Sequence, residues 1–397
     1  MQIIFRYIIC TILSSLAFSQ QLDITLLKKL VVEGNPDLLA SEKQIDVNVS
    51  QLEQTKRLPN PVMEFESGKG VEPETVGMLS QTILLGGKRK QRIKLTSLEL
   101  NKARLEYEVF RRSILTKAFS EFVVILYLQE NKILQKDRIA VARDLLDAVS
   151  RKVEAGKLSP AEKSRARIQL IQEQIKLRSI EKSLKNSWNS ISALWGKGEI
   201  SYNYASGSLS QMGAFSTSIS LANVPEVQIS KLSLEIQQTK VLSEKANVIP
   251  DIDLGAGLKL GETPGNTYQV GLSIPLPIFD RNKGNIKSAL SEVEKAQLEL
   301  KATELEIKTN VSNLQSELEI LVSEIEILNN DIIPEAQNAY TTITEGYLNG
   351  RFTYLDVVDS REMWFQSREQ YLGALKEYHQ NIFELDRITG KYPTFNF

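Results

Sequence analysis

The sequence predicts a mostly α-helical protein with a small β part, built from two copies of one unit. The first observation is a repeat: Gly156-Lys157-Leu158-Ser159 returns about 194 residues later as Gly350-Arg351-Phe352-Thr353. The second is that the stretch 88–154 contains neither glycine nor proline and therefore offers no turn. The third is that each copy contains short segments in which apolar and polar residues alternate, as they do in strands. A repeat of this length fixes the architecture that every local assignment has to fit.

The N-terminus predicts a signal peptide over residues 1–19. Arg6 precedes an apolar run from Tyr7 to Phe18, and Ala17-Phe18-Ser19 matches the small-x-small pattern of a cleavage site. The run is about a dozen residues, shorter than the roughly 20 that a membrane-spanning helix needs. Cys10 is the only cysteine and lies in this leader, so we expect an exported mature chain without a thiol.

Composition argues against several classes of function. The formal net charge is -1, so the chain lacks the basic field that nucleic-acid binding requires. His379 is the only histidine, and without thiols it cannot build a zinc or copper site alone. No nucleophile motif is present, so we expect neither an enzyme nor a bound cofactor. Trp188, Trp195 and Trp364 are expected to pack between helices.

The first unit is assigned to residues 20–196 and begins with a moderate helix. Its elements are predicted in this order: a helix over about Pro36 to Arg57, a hairpin over about 61–83, a long helix over Lys88 to Glu154, a turn at 156–159 and a helix over Pro160 to Leu194. At 1.5 Å per residue the long helix spans on the order of 100 Å. Short connections make consecutive helices antiparallel neighbours.

The second unit repeats this order over residues 225–390, after a linker at 197–224 that we expect to mix loop with short regular structure. Its elements are a helix over about Pro225 to Asn247, a hairpin over about 252–276, a long helix over about Asn285 to Leu348, a turn at 350–353 and a helix over Tyr354 to Thr389. Residues 391–397 form a tail. The two units therefore predict an internal pseudo-twofold.

The hairpin of the second unit shows the clearest alternation. Apolar residues at Ile252, Leu254, Ala256, Leu258 and Leu260 are separated by polar or small residues, which predicts one apolar and one polar face. Each strand has about ten residues, the length that a tilted strand needs to cross a bilayer. The strands alone equally allow two ribbons packed on a soluble helical domain.

The long helix of the second unit carries two apolar stripes. One repeats at alternating spacings of three and four, as in a left-handed coiled coil, and comprises Val311, Leu314, Leu318, Leu321, Ile325, Leu328 and Ile332. The other comprises Ile320, Val322 and Ile327. Two stripes let one helix pack against neighbours on both sides, which favours a helical tube.

Four strands cannot close a barrel alone, and open sheet edges are not tolerated in lipid. Three copies would supply twelve strands, continuous with twelve helices, and so form a hollow duct. The fold class predicted is therefore a trimeric α-barrel joined to a 12-stranded transmembrane β-barrel, with four strands per protomer. The alternative is a soluble or peripheral periplasmic coiled-coil protein, such as an adaptor or a scaffold.

The order of these elements resembles the TolC-type outer membrane efflux protein family over almost the whole mature chain. Three motifs carry the resemblance: Arg57-Leu58-Pro59-Asn60-Pro61, Leu84-Leu85-Gly86-Gly87-Lys88-Arg89 and Pro275-Leu276-Pro277-Ile278-Phe279-Asp280. The first is most similar to the heavy-metal branch, the outer membrane components of cobalt-zinc-cadmium and copper systems.

The resemblance implies a passive homotrimeric channel in the outer membrane of a Gram-negative bacterium, in contact with its lipid and extending into the periplasm. Its partners would be a periplasmic adaptor, also called a membrane fusion protein, and an inner-membrane pump of the resistance-nodulation-division or a similar type. The cargo stays open between heavy-metal cations, drugs and a type I secreted polypeptide.

The resemblance also implies an acidic pore entrance. Asp356 and Asp359 match the aspartates that line the periplasmic entrance in this family, and Glu162 is the repeat counterpart of Asp356. Rings of three acids in a narrow constriction would favour cations. The alternative is a solvated helix face paired with Arg351 or Arg361.

The two turns are the predicted docking tips for the adaptor. They comprise Gly156, Lys157, Leu158 and Ser159 in the first unit and Gly350, Arg351, Phe352 and Thr353 in the second. Glycine in such a turn is explained by helix termination alone. Helix termination does not explain the repeated order of cation, apolar residue and hydroxyl. This repeated order favours a shared docking role.

Overall fold

The structure is a computed structural model that describes residues 21–68, 74–198, 202–215, 220–260 and 267–391. The expected signal peptide and Cys10 lie outside the described residues, as do 261–266 in the second hairpin and 392–397 of the tail. Most described residues lie in helices, so the prediction of a mostly α protein with a small β part is confirmed.

The first unit is formed by four helices and the strands between them. In chain order these are β1 (Gln21–Leu22), α1 (Ile24–Gly34), α2 (Pro36–Thr55), β2 (Val62–Gly68), β3 (Glu74–Ile83), α3 (Lys88–Glu154) and α4 (Pro160–Leu194). The 67 residues of α3 are helical throughout, as the absence of glycine and proline predicts. The short α1 was not predicted; Asp23 begins it by accepting a hydrogen bond from the Leu26 amide.

The second unit repeats the longer elements. They are α5 (Pro225–Ala246), β5 (Ile252–Leu260), β6 (Thr267–Ser273), α6 (Lys283–Ile327), α7 (Ile333–Leu348) and α8 (Tyr354–Thr389). Two short elements precede the unit: β4 (Tyr204–Ala205) and a 3-10 turn (Leu221–Asn223). A π turn at Leu328–Ile332 separates α6 from α7. The prediction of one regular helix up to Leu348 is therefore corrected. Pro334 explains the interruption, because it has no amide hydrogen and its ring crowds the carbonyl of Asn330.

The two hairpins form one four-stranded antiparallel sheet in the order β2-β3-β5-β6. The central pair, β3 with β5, joins the two units in a register that places Leu79 opposite Ala256 and Gly77 opposite Leu258. Because opposite residues share a face, one face carries exposed Met63, Phe65, Leu79, Leu258 and Val270. The other carries Glu64, Glu66, Asp253 and Lys259. The alternation read from the sequence thus describes a sheet with one apolar and one polar face.

The main core lies where α1, α3, α5, α6 and α8 meet. Phe122, Phe383 and Leu27 are fully buried in it, and both Trp188 and Trp195 belong to it. His379 is also buried and makes a 2.8 Å hydrogen bond to the Leu209 carbonyl. Within the described part of the chain, no helix is long and apolar enough to cross a membrane.

Toward the two predicted tips the helices form a row. Helix α3 packs against both α4 and α8, and α8 packs in turn against α6 and α7. The row therefore ends in α4 on one side and in α6–α7 on the other. The buried stripe of α6 is the predicted coiled-coil seam, with Leu318, Ile325 and Leu328 almost inaccessible. Ile332, the last residue assigned to that seam, is 41% exposed, because the π turn rotates the helix there.

Candidate functional site

The two predicted tips lie side by side at one end of the helical row. Each long helix ends at a glycine with positive φ, 69° at Gly156 and 78° at Gly350, a conformation that glycine adopts without strain. The same hydrogen bond closes both turns: the Lys157 amide donates to the Lys152 carbonyl and the Arg351 amide to the Gly346 carbonyl, each at 2.8 Å. The repeat therefore reproduces the backbone of the turn as well as its residue types.

The two turns contact each other through Lys152 and Tyr347. Lys152 Nζ donates to the Tyr347 carbonyl at 2.5 Å and lies 3.7 Å from the centre of the Tyr347 ring. Partial burial, followed by the nearby charge of Lys157, lowers the pKa of Lys152. Burial raises the pKa of Tyr347, with smaller contributions from Tyr354 and Glu162. This contact fixes the relative height of the two tips.

A cleft of about 580 Å³ lies between the turns. It is lined by residues from both units, among them Lys152, Leu158, Glu162, Tyr347, Phe352 and Tyr354. Beneath it a small apolar cluster holds α3, α4, α7 and α8 together through Val149, Ala166, Tyr347 and Val357. Five of the eight predicted tip residues line this cleft: Lys157, Leu158, Gly350, Phe352 and Thr353. The other three, Gly156, Ser159 and Arg351, are exposed at the end of the row.

Asp356 also has a local structural role at the start of α8. Its Oδ2 accepts hydrogen bonds from the Thr353 amide and from Thr353 Oγ1, both at 2.7 Å, and its own amide donates to Thr353 Oγ1 at 3.3 Å. This is a capping box that begins α8. The hydrogen bonds from the Thr353 backbone and side chain lower the pKa of Asp356, so its carboxylate stays charged well below neutral pH.

The three predicted entrance acids lie near the same end of the row but do not contact one another in one protomer. Asp359 is exposed one helical turn beyond Asp356. Glu162, in the first turn of α4, accepts a hydrogen bond from Arg165 at 3.1 Å and lines the cleft. Neither aspartate pairs with Arg361, which is buried instead against Glu173. That interior pair and the Lys152–Tyr347 contact escaped prediction, because neither belongs to a local motif.

No group of three or more metal-ligating side chains occurs among the residues that the structure describes. The three predicted entrance acids therefore do not form such a group within one described protomer.

Comparison with known proteins shows the family to which this chain belongs. A family model described as outer membrane efflux protein matches residues 27–197 and 217–391. The chain belongs to the outer membrane efflux protein family. It is also 30% identical, over 369 residues, to the cobalt-zinc-cadmium resistance protein CzcC of Cupriavidus metallidurans, a match covering 91% of this chain and 88% of CzcC.

Solved structures show the same fold. The transmembrane channel protein CusC superposes with a TM-score of 0.83 at 15% identity, covering 94% of each chain. The outer membrane protein VceC of Vibrio cholerae superposes with a TM-score of 0.80 at 16% identity, covering 93% of this chain and 96% of VceC. The fold predicted from the repeat is therefore confirmed. Together with the family match, it shows that the soluble adaptor alternative is wrong.

Membership of the outer membrane efflux protein family settles the general role. The chain is a passive outer membrane channel that extends into the periplasm, and it is not an enzyme. Members of this family form homotrimers and function with a periplasmic adaptor and an inner-membrane pump.

Proposed function

We propose that this chain is the outer membrane duct of a metal-cation efflux system, working as a homotrimer with an adaptor and an inner-membrane pump of the resistance-nodulation-division type. The observation that supports metal cations as the cargo is the similarity to CzcC along nine-tenths of the chain. Drugs or a secreted polypeptide are the alternative cargo, since a duct accepts what its pump delivers.

The sheet supports a barrel shared between copies. Among the described strands of one protomer, β2 and β6 are each paired on one side only. An unpaired edge in lipid leaves amide and carbonyl groups unsatisfied. Pairing β6 of one copy with β2 of the next continues the sheet, and three copies supply twelve strands. The exposed apolar face of Phe65, Leu79 and Val270 would then contact lipid.

The two turns and the acids near them support the proposed pore entrance and the proposed adaptor-docking role. Glu162 lines the cleft, and Asp356 and Asp359 lie in the first two turns of α8 at the same end of the row, so a trimer would carry nine acids there. The exposed turn residues, with Lys157 and Arg351 at equivalent places, present two similar surfaces to an adaptor. A ring of acids in a narrow passage raises the local concentration of cations and repels anions.

Planar-bilayer conductance of the detergent-extracted mature protein tests the duct and its entrance together. We expect cation-selective channels whose selectivity falls in Asp356→Asn with Asp359→Asn. Because Asp356 also caps α8, Thr353→Ala is the matched control: it breaks the capping box and leaves the charge unchanged. Selectivity lost equally in Thr353→Ala would assign the effect to the helix end rather than to the acids.

The cargo is tested in cells. The chain is expressed with its own adaptor and pump in a Gram-negative strain that lacks metal efflux, and growth is measured against graded cobalt, zinc and cadmium and against a panel of drugs. We expect protection against the metals alone. Protection against the drugs alone would reject the metal cargo and leave the duct intact.

A further inference from the structure

Positive charge is concentrated where the sheet joins the helices. Because the strands are antiparallel, the start of β2, the end of β3, the start of β5 and the end of β6 lie at one edge of the sheet. The four segments that leave this edge, which we call the junction segments, are residues 56–61, 84–92, 245–251 and 274–287. Together they contain ten lysines and arginines and two acids, Asp251 and Asp280, in a chain whose formal net charge is -1.

In each junction segment, apolar residues stand between the strand and the first cations. We call the exposed apolar residues the apolar rim: Leu58, Ile249, Leu276, Ile278 and Phe279. We call the exposed cations the basic collar: Lys56, Arg57, Arg89, Lys90, Arg92, Lys245, Arg281, Lys283 and Lys287. Arg89 donates a 2.8 Å hydrogen bond to the Lys56 carbonyl, so cations of two segments lie side by side.

The apolar rim continues the apolar face of the sheet. Phe279 is 100% exposed and Leu276 is 74% exposed, in a tight turn closed by a 2.9 Å hydrogen bond from the Ile278 amide to the Leu276 carbonyl. Contiguous exposed apolar side chains mark an interaction surface. Met63 and Val270, on the neighbouring face of the sheet, are also exposed, so one apolar partner can cover the sheet and the rim together.

The cations at the starts of α3 and α6 do not stabilise those helices. The start of a helix carries partial positive charge and favours acids, yet neither first turn contains an acid. Lys88 is paired with Asp251 at 2.8 Å, whereas Arg89, Lys90 and Arg92 are exposed beside it. An external anion at this position would offset both the repulsion among the cations and the charge of the helix end.

We propose that the basic collar binds the phosphate groups of anionic phospholipids in the periplasmic leaflet of the outer membrane. The inference rests on the proposed function, which places the sheet in that membrane and the helices in the periplasm. The order of sheet, apolar rim and basic collar then matches the order of acyl chains, interface and phosphates in a leaflet. Arginine and lysine form charge-assisted hydrogen bonds with phosphate oxygens, and cation clusters beside a membrane segment attract anionic lipid.

The adaptor and a neighbouring copy fit this surface less well than lipid does. The proposed docking tips lie at the opposite end of α3, whose 67 residues span about 100 Å. Copies related by rotation about the axis of a ring keep the same height. A neighbouring copy therefore presents its own junction segments at this level, and their positive charge would repel the collar.

Lipid titration tests the collar. The wild type and the triple variant Arg89→Gln, Lys90→Gln, Arg92→Gln are extracted in a neutral detergent, and melting temperatures are followed as phosphatidylglycerol or phosphatidylcholine is added. We expect phosphatidylglycerol to stabilise the wild type more than phosphatidylcholine does. The triple variant should need at least about tenfold more phosphatidylglycerol for half of the effect, because each cation adds to the attraction. The difference should shrink at 1 M salt.

The matched control is Lys136→Gln, Lys301→Gln, Lys308→Gln. It removes the same charge from exposed positions on α3 and α6, at least about 20 Å along the helix from the nearest collar residue, and should titrate like the wild type. An equal loss in the control would assign the effect to net charge and overturn the collar. Phosphatidylcholine or inorganic phosphate that stabilises the wild type as well as phosphatidylglycerol would overturn the anionic lipid as its ligand.

Fluorescence quenching measures the depth of the junction without depending on stability. Cys10 lies in the expected leader, so the mature chain is expected to accept single labelled cysteines at Phe279→Cys, Val270→Cys and Lys136→Cys. Each is labelled with bimane and reconstituted into vesicles of phosphatidylcholine and phosphatidylglycerol that carry brominated acyl chains. We expect quenching at positions 279 and 270 and none at position 136, which lies far along α3.

The outcomes separate this inference from the proposed function. A label at position 279 that stays bright while the label at position 270 is quenched would overturn the contact with the leaflet and keep the sheet in the membrane. A triple variant that titrates like the wild type would overturn the collar and likewise keep the duct. A label at position 270 that stays bright would reject the membrane-embedded sheet, and with it the proposed duct, whatever position 279 shows.

Discussion

Arg361 of α8 and Glu173 of α4 face each other inside the helical row, with Nη2 and Oε1 4.0 Å apart and each residue only 1% exposed. Gln135 of α3 donates a 2.9 Å hydrogen bond to Glu173 Oε2. Burial raises the pKa of Glu173, but the hydrogen bond from Gln135 and the charges of Lys176, Arg138 and Arg361 outweigh it, so the pKa is lowered overall. The carboxylate is therefore charged and ties α4 to α8 across α3.

Glu173→Gln should destabilise the protomer by about 3–5 kcal/mol, because it leaves the Arg361 guanidinium buried without a countercharge. Adding Arg361→Met should recover much of that loss. Glu181→Gln is the matched control, since its pair with Lys132 is partly exposed to solvent and should contribute about 1 kcal/mol or less. Denaturant unfolding in detergent measures all three. Equal effects of Glu173→Gln and Glu181→Gln would contradict the role of the buried pair.

Gly346→Ala should disturb the second tip. A Cβ at Gly346 would overlap the ring of Phe352, which lies against this glycine. Gly373→Ala in α8 is the control, because a Cβ there meets nothing within 4 Å. The control should stabilise the helix by about 0.5–1 kcal/mol. Gly346→Ala should instead lose stability and, if Phe352 docks the adaptor, adaptor affinity. A stabilising effect of Gly346→Ala would show that Phe352 moves freely.

His379 should make stability depend on pH. Burial lowers its pKa, and the hydrogen bond to the Leu209 carbonyl only partly offsets this. The unfolded chain, with a pKa of about 6.5 for this group, then binds the proton more readily than the folded one. Stability is therefore complete above about pH 6.5 and decreases as the pH falls below it.

His379→Gln tests this dependence, because glutamine retains a donor for the Leu209 carbonyl and does not titrate. Unfolding free energies of the variant and the wild type are compared between pH 7 and 5. Asp386 and Glu121, whose pKa values are raised by burial, are present in both proteins, so their contributions cancel in the difference. If the difference in unfolding free energy is constant across this pH range, His379 is not the cause of the pH dependence.

Asp251 should stabilise the junction between the sheet and the helices. Its Oδ1 accepts from Lys88 Nζ at 2.8 Å and from the Leu85 amide at 3.1 Å, so it joins the second unit to the first. Asp251→Ala should cost about 1–3 kcal/mol, because two half-buried donors lose their acceptor. Asp46→Ala, which breaks the exposed pair with Lys43, should have no measurable effect. Thermal unfolding measures the stability of both variants. Similar melting temperatures for Asp251→Ala and Asp46→Ala would contradict the role of Asp251 at this junction.

Much of the secondary structure was predictable because its signals are local. Helices α3, α4 and α8 begin and end at the residues expected from the sequence, since the glycine turns and the caps at Ser159 and Thr353 are short-range patterns. The π turn before Pro334 and the short α1 were missed. Both depend on how a segment packs as well as on its own composition.

The sequence by itself determined the repeat, the lengths of the helices and the faces of the strands, because periodicity and turn chemistry act over a few residues. Only the tertiary structure decided which faces meet. It paired β3 with β5, buried Arg361 on the same helix that exposes Asp359, and brought Lys152 onto Tyr347. Such contacts join residues more than 150 positions apart, and burial depends on what the fold brings opposite a side chain, which no local pattern encodes.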